Sequence, residues 1–338
     1  MERPSVEHLI RLYGPGKSMG ESASRTDRPH YFLLRRFLRD LDLLMIFNTR
    51  RCRYQCAFCQ LPAKCSRDWI PDGDLLAQFE FVVAECKHAL SVVERVTISN
   101  EGSVLDESTF GDVALGKMIS SLSALPALRR VELETRLEFV TESQLCQLSS
   151  LCPRAQIGIL TGFETQDEAI RDEVLVKREP LSVFTSGLDR VATVGAALTA
   201  YVLFKPDPGM TDDEAYSEAD RSIEFLAEQC GSRSIPLTVR LNPMYLASGS
   251  RWAERARSSE RYQPPRLTDV MRLAEKHALC GRAMYIGLST EGLAEPGGSY
   301  RAREDYSHAL IRPIMEFNSG ERATFDWSTS PDQRRGVG

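Results

Sequence analysis

The chain has 338 residues, of which 42% are hydrophobic and 26% charged, and its formal net charge is −5. This composition is ordinary for a globular protein and allows one large α/β domain with extensions or two small domains. The acidic balance disfavours a nucleic-acid partner, and no apolar run is long enough to span a membrane. The five histidines show no metal-ligand spacing, which disfavours a histidine-built metal hydrolase. Without a secretion signal, we expect a cytoplasmic protein.

The N-terminal segment, residues 1–42, is predicted to be separate from the core. Residues 14–28 are polar and glycine-containing, which is typical of a loop. The run RPHYFLLRRFLRDLD at 28–42 has the pattern of a basic amphipathic helix, so we expect a helical lid packed on the domain that follows.

Residues 43–250 form the predicted core, in which short apolar runs alternate with helical patterns. Several of these runs are apolar on both faces, as expected of parallel strands covered by helices. Six strands are predicted, at 41–49, 93–100, 129–136, 156–164, 197–205 and 236–243. Six β-then-α units fit a partial (β/α)6 barrel of the TIM type, although a doubly wound open sheet would give the same pattern.

The remainder of the chain divides into two predicted parts. Residues 251–319 are an extension that covers the barrel, with a helix at 267–280 and a short strand at 283–287. The tail 320–338 is polar, and we expect it to be disordered.

Three cysteines, Cys52, Cys56 and Cys59, follow the first core strand with C-x3-C-x2-C spacing. Three thiolates can hold three irons of a [4Fe–4S] cube and leave the fourth iron open to a small ligand. A structural zinc site with Cys65 as the fourth ligand is the alternative. A disulfide framework is disfavoured by the length of the chain and its odd cysteine count.

This motif resembles the signature of the radical SAM superfamily, in which an aromatic residue, here Phe58, precedes the last cysteine. The resemblance implies a partial barrel and two cofactors, a [4Fe–4S] cluster and S-adenosylmethionine (SAM). It also implies a flavodoxin- or ferredoxin-type electron donor. The implied reaction is reductive cleavage of SAM to a 5′-deoxyadenosyl radical that removes hydrogen from a substrate.

Ligands of parallel α/β folds bind at the carboxyl ends of the strands, and polar residues occur there. The second core strand ends in Asn100, Glu101, Gly102 and Ser103, which resemble the Gly-Gly-Glu element that binds the SAM ammonium. The third ends in ELETRLEFV, which resembles a segment of the archaeosine-synthase radical SAM subunit and of the elongator radical domain. Its Glu134 and Arg136 alternate along the strand, so we expect a charge pair facing the barrel and the cofactor.

The last three core strands supply the remaining candidates. The stretch GFETQDEAIR resembles coproporphyrinogen-oxidase-like and methylthiotransferase-like members, which implies that Glu164 binds the SAM ribose. Arg178 is the candidate for the SAM carboxylate, in preference to its neighbour Lys177. Lys205 and Tyr245 are predicted substrate contacts.

Asn242, at the end of the sixth core strand, is a further candidate and is predicted to contact SAM. Cys65 and Cys280 are candidate hydrogen donors to a product radical. The cysteines 86, 146 and 230 are expected to pack on outer helices.

Two functions remain open at this point. The first is a radical SAM enzyme that acts on a small polar metabolite or natural-product intermediate, such as a sugar, nucleoside or amino acid. The second is a tRNA-modifying enzyme of the archaeosine-synthase type. A zinc-stabilised scaffold is the non-enzymatic alternative.

Overall fold

The computed structural model describes residues 5–13 and 25–327. Its core is one eight-stranded sheet with the strands in chain order. The strands are β1 (Tyr31–Phe37), β2 (Asp40–Ile46), β3 (Arg95–Ser99), β4 (Arg130–Glu134), β5 (Gln156–Glu164), β6 (Ala197–Phe204), β7 (Leu237–Pro243) and β8 (Ala283–Ile286). The helices are α1 (Val6–Tyr13), α2 (Asp72–Glu85), α3 (Asp112–Leu122), α4 (Glu142–Leu151), α5 (Leu181–Thr193), α6 (Asp212–Gly231), α7 (Arg251–Arg257), α8 (Leu267–Leu279) and α9 (Ile311–Asn318).

The architecture is a mixed α/β partial TIM-type barrel, as predicted. Strands β2 to β8 are parallel, and only β1 runs antiparallel to its neighbour. All six predicted core strands are present. The short strand predicted in the extension is β8, which continues the parallel sheet beyond β7.

The predicted helical lid before the core is wrong, because residues 31–46 form a β-hairpin. Tyr31 pairs with Ile46 and Phe37 with Asp40, and the turn between the strands places Leu38 at φ 53°. Strand β1 packs against α1 and also contributes Phe37 to the barrel interior. Its apolar residues can therefore be buried in a strand as well as in a helix. Pairing with the free edge of β2 satisfies its backbone groups and overrides the helical pattern.

The sheet curls until side chains of its first and last strands touch. The rings of Phe37 on β1 and Tyr285 on β8 stack with centroids 4.5 Å apart. Behind them, Arg95 lies 3.1 Å from Glu132 in the interior of the barrel, and both side chains are fully buried. Because these groups fill the amino-terminal part of the barrel, the interior is open for ligands at its carboxyl-terminal mouth.

The beginning of the predicted disordered tail is packed on the domain. Phe325 is buried, and the indole Nε1 of Trp327 donates to Glu275 Oε2 at 2.7 Å. The predicted disorder is therefore wrong for residues 320–327, where two aromatic side chains cover α8. Residues 328–338, and 14–24 of the predicted N-terminal loop, lie outside the described residues. No helix of the described residues has the length and apolar character needed to cross a bilayer.

Candidate cofactor site

The loop that carries the three motif cysteines follows β2 at the mouth of the barrel. Backbone hydrogen bonds fix it from two distant parts of the chain. The Ala57 amide donates to Leu175 O at 2.7 Å, and the Trp252 amide donates to Ala57 O at 2.9 Å. The ring of Phe58 is partly buried against the small apolar cluster that contains Trp252. The loop is therefore held by tertiary contacts and not by a helix or strand of its own.

The three cysteines line a common cavity of about 270 Å³. Their side chains are partly exposed, and Arg51, Tyr54 and Arg251 are among the other lining residues. The described residues contain compact groups of possible metal ligands, but the three sulfur atoms do not form a set within 4.8 Å of one another. Sulfurs around one zinc ion would be about 3.8 Å apart, given a Zn–S bond of about 2.3 Å. The three sulfurs are therefore not arranged as ligands of one zinc ion.

The turn after β3 lies directly against the cysteine loop. A Cβ on Gly102 would be 3.2 Å from the Cβ of Cys52, so glycine permits this close approach. Glu101 has a φ of 57°, and Ser103 Oγ accepts from the Arg136 amide at 3.1 Å. The buried oxygens Asn100 Oδ1 and Glu101 Oε1 have no hydrogen-bond partner. Unpartnered buried acceptors are unusual in native proteins and are expected where a ligand binds.

Cys65 points toward this turn. Its Sγ lies 3.6 Å from Glu101 Oε2, and a ring nitrogen of His30 completes a group whose ligand atoms lie within 4.8 Å of one another. Burial raises the pKa of Glu101 to about 8, and it lowers the pKa of His30 to about 4. Cys65 forms no such compact group with the motif cysteines among the described residues, so a zinc site built from these four cysteines is not supported.

The expected charge pair between Glu134 and Arg136 is wrong. Strand β4 ends at Glu134, so the alternation of side chains does not continue to Arg136. Glu134 instead accepts from Ser99 Oγ, while Arg136 lies 3.1 Å from Glu138 and over the ring of Tyr54. Burial raises the pKa of Glu134 to about 7. Glu134 faces the barrel, whereas Arg136 stabilises the rim.

Glu164 is the last residue of β5 and is buried. Its backbone is in the left-handed conformation, with a φ of 73°. Its carboxylate lies over Gly162, where a Cβ would be 2.1 Å from Oε1. Lys177 Nζ lies 3.7 Å from the same oxygen and 3.4 Å from Glu179. Burial raises the pKa of Glu164, and the nearby Lys177 opposes that shift. Arg178, preferred from the sequence over Lys177, has an exposed side chain, so the buried cation beside Glu164 is Lys177.

The candidates on β6 and β7 lie at strand ends, as predicted. Lys205 Nζ pairs with Asp212 at 2.9 Å and is buried. The Asn242 Oδ1 atom is buried without a partner, and Gly287 leaves the space around it, since a Cβ there would be 1.9 Å away. Burial raises the pKa of the Tyr245 hydroxyl. Of these residues, Asn242 has the clearest free hydrogen-bonding capacity.

The other cysteine predictions are met in part. All nine cysteines lie in the described part of the chain and are free. Cys86 and Cys230 are buried, as expected, but Cys146 is exposed because it lies on the outer face of α4. Cys280 caps the end of α8, is exposed and precedes β8. It therefore lies at the amino-terminal end of the parallel strands, whereas the cysteine loop lies at their carboxyl-terminal end. Cys280 is therefore a wrong candidate for hydrogen donation.

Sequence reasoning missed two residues at the barrel mouth, His30 and Glu291. His30 was overlooked because its segment was predicted as a helix. Glu291 lies in the loop after β8, which approaches the mouth only in the folded chain, and its Oε2 atom is buried without a partner. In the sequence, the only indication of His30 was its position directly before the run that begins with Tyr31 and Phe32.

The comparisons with known proteins agree with this geometry. No protein-family model matches the chain. An uncharacterised protein of Methanocaldococcus jannaschii is 23% identical over 282 residues, which cover 81% of this chain and 75% of that protein. Archaeosine synthase subunit beta of Methanosarcina acetivorans is 25% identical over 199 residues. That match covers 58% of this chain and 57% of the subunit, so the chain spans little more than half of that relative.

Two solved structures show the same architecture. HydG, a maturase of the [FeFe]-hydrogenase, matches with a TM-score of 0.53 at 12% identity, over 84% of this chain and 56% of that chain. Spore photoproduct lyase with a dinucleoside spore photoproduct matches with a TM-score of 0.50 at 15% identity, over 71% and 75%. The chain therefore shares the fold of these two proteins, a partial barrel of parallel strands. The motif cysteines lie where this fold brings ligands together, at the carboxyl end of the first parallel strand.

Proposed function

We propose that the protein is a radical SAM enzyme whose Cys52, Cys56 and Cys59 hold a [4Fe–4S] cluster. The observation that carries this proposal is the common cavity of the three cysteines, beside a turn with unpartnered buried acceptors. With both cofactors bound, the cluster would supply the electron that cleaves SAM to a 5′-deoxyadenosyl radical. The residues of the chain bind SAM, orient the substrate and exclude water.

The barrel mouth offers complementary groups to each polar part of SAM. Carbonyl and side-chain oxygens of the turn 100–103 suit the ammonium, which has three donors. Glu164 suits the two ribose hydroxyls, because a carboxylate accepts two hydrogen bonds. Lys177, buried beside Glu164, is a better candidate for the SAM carboxylate than the exposed Arg178. Asn242 stays the candidate for a further contact with SAM.

The proposed substrate is a small polar metabolite or natural-product intermediate. The interior of the barrel is polar at the mouth, where Glu134 and Glu291 face inward with raised pKa values. Tyr245 remains a predicted substrate contact. Lys205 also remains one, although its ion pair with Asp212 already balances its charge.

A tRNA substrate of the archaeosine-synthase type is the second candidate. It is supported by the 25% identity to archaeosine synthase subunit beta. Exposed arginines 50, 51, 53 and 251 also surround the cysteine loop, although the whole chain is acidic. The same basic rim suits an acidic flavodoxin- or ferredoxin-type electron donor. A cytoplasmic location would supply such a donor.

Anaerobic reconstitution tests the proposal. The protein should bind about four irons and four sulfides and release 5′-deoxyadenosine from SAM when a strong reductant is added. A colourless protein that binds zinc in place of iron would refute it. To separate the two substrate classes, tRNA binding is measured at several salt concentrations. Micromolar binding with a steep salt dependence would favour the tRNA substrate.

A further inference from the structure

Three side chains with metal-binding atoms converge beside the proposed SAM site. They are His30, directly before β1; Cys65, which follows the cysteine motif; and Glu101, in the turn after β3. One ring nitrogen, the sulfur and one carboxylate oxygen all lie within 4.8 Å of one another. None of the three is a motif cysteine, and each comes from a different part of the chain.

The hydrogen-bonding capacity of this group is largely unused. His30 Nε2 and Glu101 Oε1 are buried and have no partner, and Glu101 is only 5% exposed. The Cys65 sulfur has only long contacts, 3.6 Å to Glu101 Oε2 and 3.7 Å to Leu61 O. Buried polar atoms are normally satisfied, so this set lacks a partner that the protein itself does not provide.

The backbone holds the three residues in place. The His30 amide donates to Ile46 O at 2.9 Å, and the Ser66 amide, next to Cys65, donates to Thr49 O at 3.1 Å. The Glu101 amide lies 3.3 Å from Ser99 Oγ. The first and third contacts tie the group to β2 and β3, and the second ties it to the chain just after β2.

A second compact group shows the contrast. Asp220, Glu224 and His277 also lie within 4.8 Å, but their atoms are bonded to Lys276 and Arg282 at the surface of α6 and α8. Basic side chains account for that group without any ion. No basic side chain forms an ion pair with Glu101 among the described residues.

We propose that His30, Cys65 and Glu101 form a mononuclear site for a divalent transition metal of the Zn²⁺ or Fe²⁺ class, separate from the cluster. Imidazole, thiolate and carboxylate are ligands that these ions accept. The thiolate and the carboxylate together balance the charge of the ion. Three protein ligands would leave a coordination position open, as in catalytic zinc sites.

The inference goes beyond the proposed function, and it assigns the Glu101 carboxylate to the metal and not to the SAM ammonium. A metal bound to the Glu101 carboxylate leaves Asn100 Oδ1 and the carbonyl oxygens of the same turn available to the SAM ammonium. The open coordination position could then bind a hydroxyl, amine or carboxylate of the substrate.

Cobalt binding tests the site in the absence of the cluster. In the triple variant Cys52→Ser/Cys56→Ser/Cys59→Ser, Co²⁺ should bind with about one equivalent per chain and give a thiolate-to-cobalt absorption band. Adding Cys65→Ser should remove the band, and adding His30→Ala should raise the Kd by about tenfold or more. Adding Cys146→Ser, which removes an exposed thiol, should change neither. Absence of the band from the triple variant, or its persistence after Cys65→Ser, would overturn the proposal.

A second measurement uses the otherwise unaltered chain, so that misfolding of the triple variant cannot decide the result. The reconstituted protein is incubated with Zn²⁺, passed through a desalting column and analysed for both metals. We expect about one zinc beside four irons, and loss of the zinc alone in His30→Ala. Equal zinc in the two proteins overturns the mononuclear site and leaves the cluster assignment intact. A reconstituted protein that binds zinc but no iron would contradict the cluster assignment and not the mononuclear site.

Discussion

Lys177 Nζ lies 3.7 Å from Glu164 Oε1 inside the barrel mouth, and the same ammonium lies 3.4 Å from Glu179. Lys177 therefore balances two buried carboxylates while leaving Glu164 free to accept further hydrogen bonds. We expect Glu164→Ala to weaken SAM binding by about tenfold to a hundredfold, the effect of losing hydrogen bonds to a charged group. Equilibrium binding of SAM to the reconstituted protein measures this.

Glu164→Ala should leave the cluster intact, because Glu179 still pairs with Lys177. Asp172→Ala is the matched control, since Asp172 is an exposed acid on the turn that follows β5. Unchanged SAM affinity in Glu164→Ala, or equal losses in both variants, would remove Glu164 from the site.

The two adjacent cations, Lys177 and Arg178, should differ in their effects. Arg178→Met removes an exposed side chain, and we expect less than about a threefold change in the Kd for SAM. Lys177→Met removes a buried cation beside Glu164, and we expect the Kd for SAM to rise by about tenfold or more. Stability should also fall, because Glu164 loses its ion pair while Glu179 keeps Arg171 at 3.2 Å. SAM titration and thermal unfolding of both variants check this. The reverse order would restore the preference for Arg178.

Cys56→Ala should abolish both the cluster and SAM cleavage, since two thiolates do not hold the cube. Iron and sulfide content, the visible absorption of the cluster and 5′-deoxyadenosine formation are the measurements. Cys146→Ala, which alters an exposed cysteine on α4, should behave like the original protein. Full cleavage activity in Cys56→Ala would refute the ligand assignment.

Glu134 makes stability depend on pH, because burial raises its pKa from 4.5 to about 7. A carboxyl group with a raised pKa favours the folded state at low pH, and this contribution is lost as the pH rises from about 4.5 through 7. The difference corresponds to about 2–4 kcal/mol. We therefore expect Glu134→Gln to be more stable than the original protein at pH 8, with the difference vanishing near pH 4.5.

Urea unfolding of the cluster-free proteins under anaerobic conditions measures this difference across the pH range. The substitution keeps an acceptor for Ser99, so the hydrogen bond is retained. Identical dependence on pH in the two proteins would show that Glu134 ionises normally.

Gly158 on β5 makes room for the buried ion pair of Glu132 and Arg95. A Cβ at this position would be 2.3 Å from Glu132 Oε2, and Glu132 is fully buried. Gly158→Ala should therefore lower the free energy of unfolding by about 1–3 kcal/mol. Gly73→Ala is the control, because nothing lies within 4 Å of its Cβ position in α2, where alanine favours the helix. A neutral Gly158→Ala would mean that the ion pair can move aside.

The sequence by itself determined the parallel core and the position of the cysteines. Strands β2 to β7 have apolar residues on both faces and are separated by helical patterns, and such local periodicity is readable without knowing which elements meet. The close spacing of Cys52, Cys56 and Cys59 is likewise a local property. Their position at a strand end followed from the general rule for parallel sheets.

Only the tertiary structure decided which side chains share an environment. Residues 31–37 became a strand because β2 offered an unpaired edge, and no local pattern records that edge. Lys177 rather than Arg178 turned inward because the chain adopts left-handed φ values on both sides of it, at 176 and 178. His30, Cys65 and Glu101 are far apart in sequence and met only when the barrel curled, since burial and distance depend on contacts between distant segments of the chain.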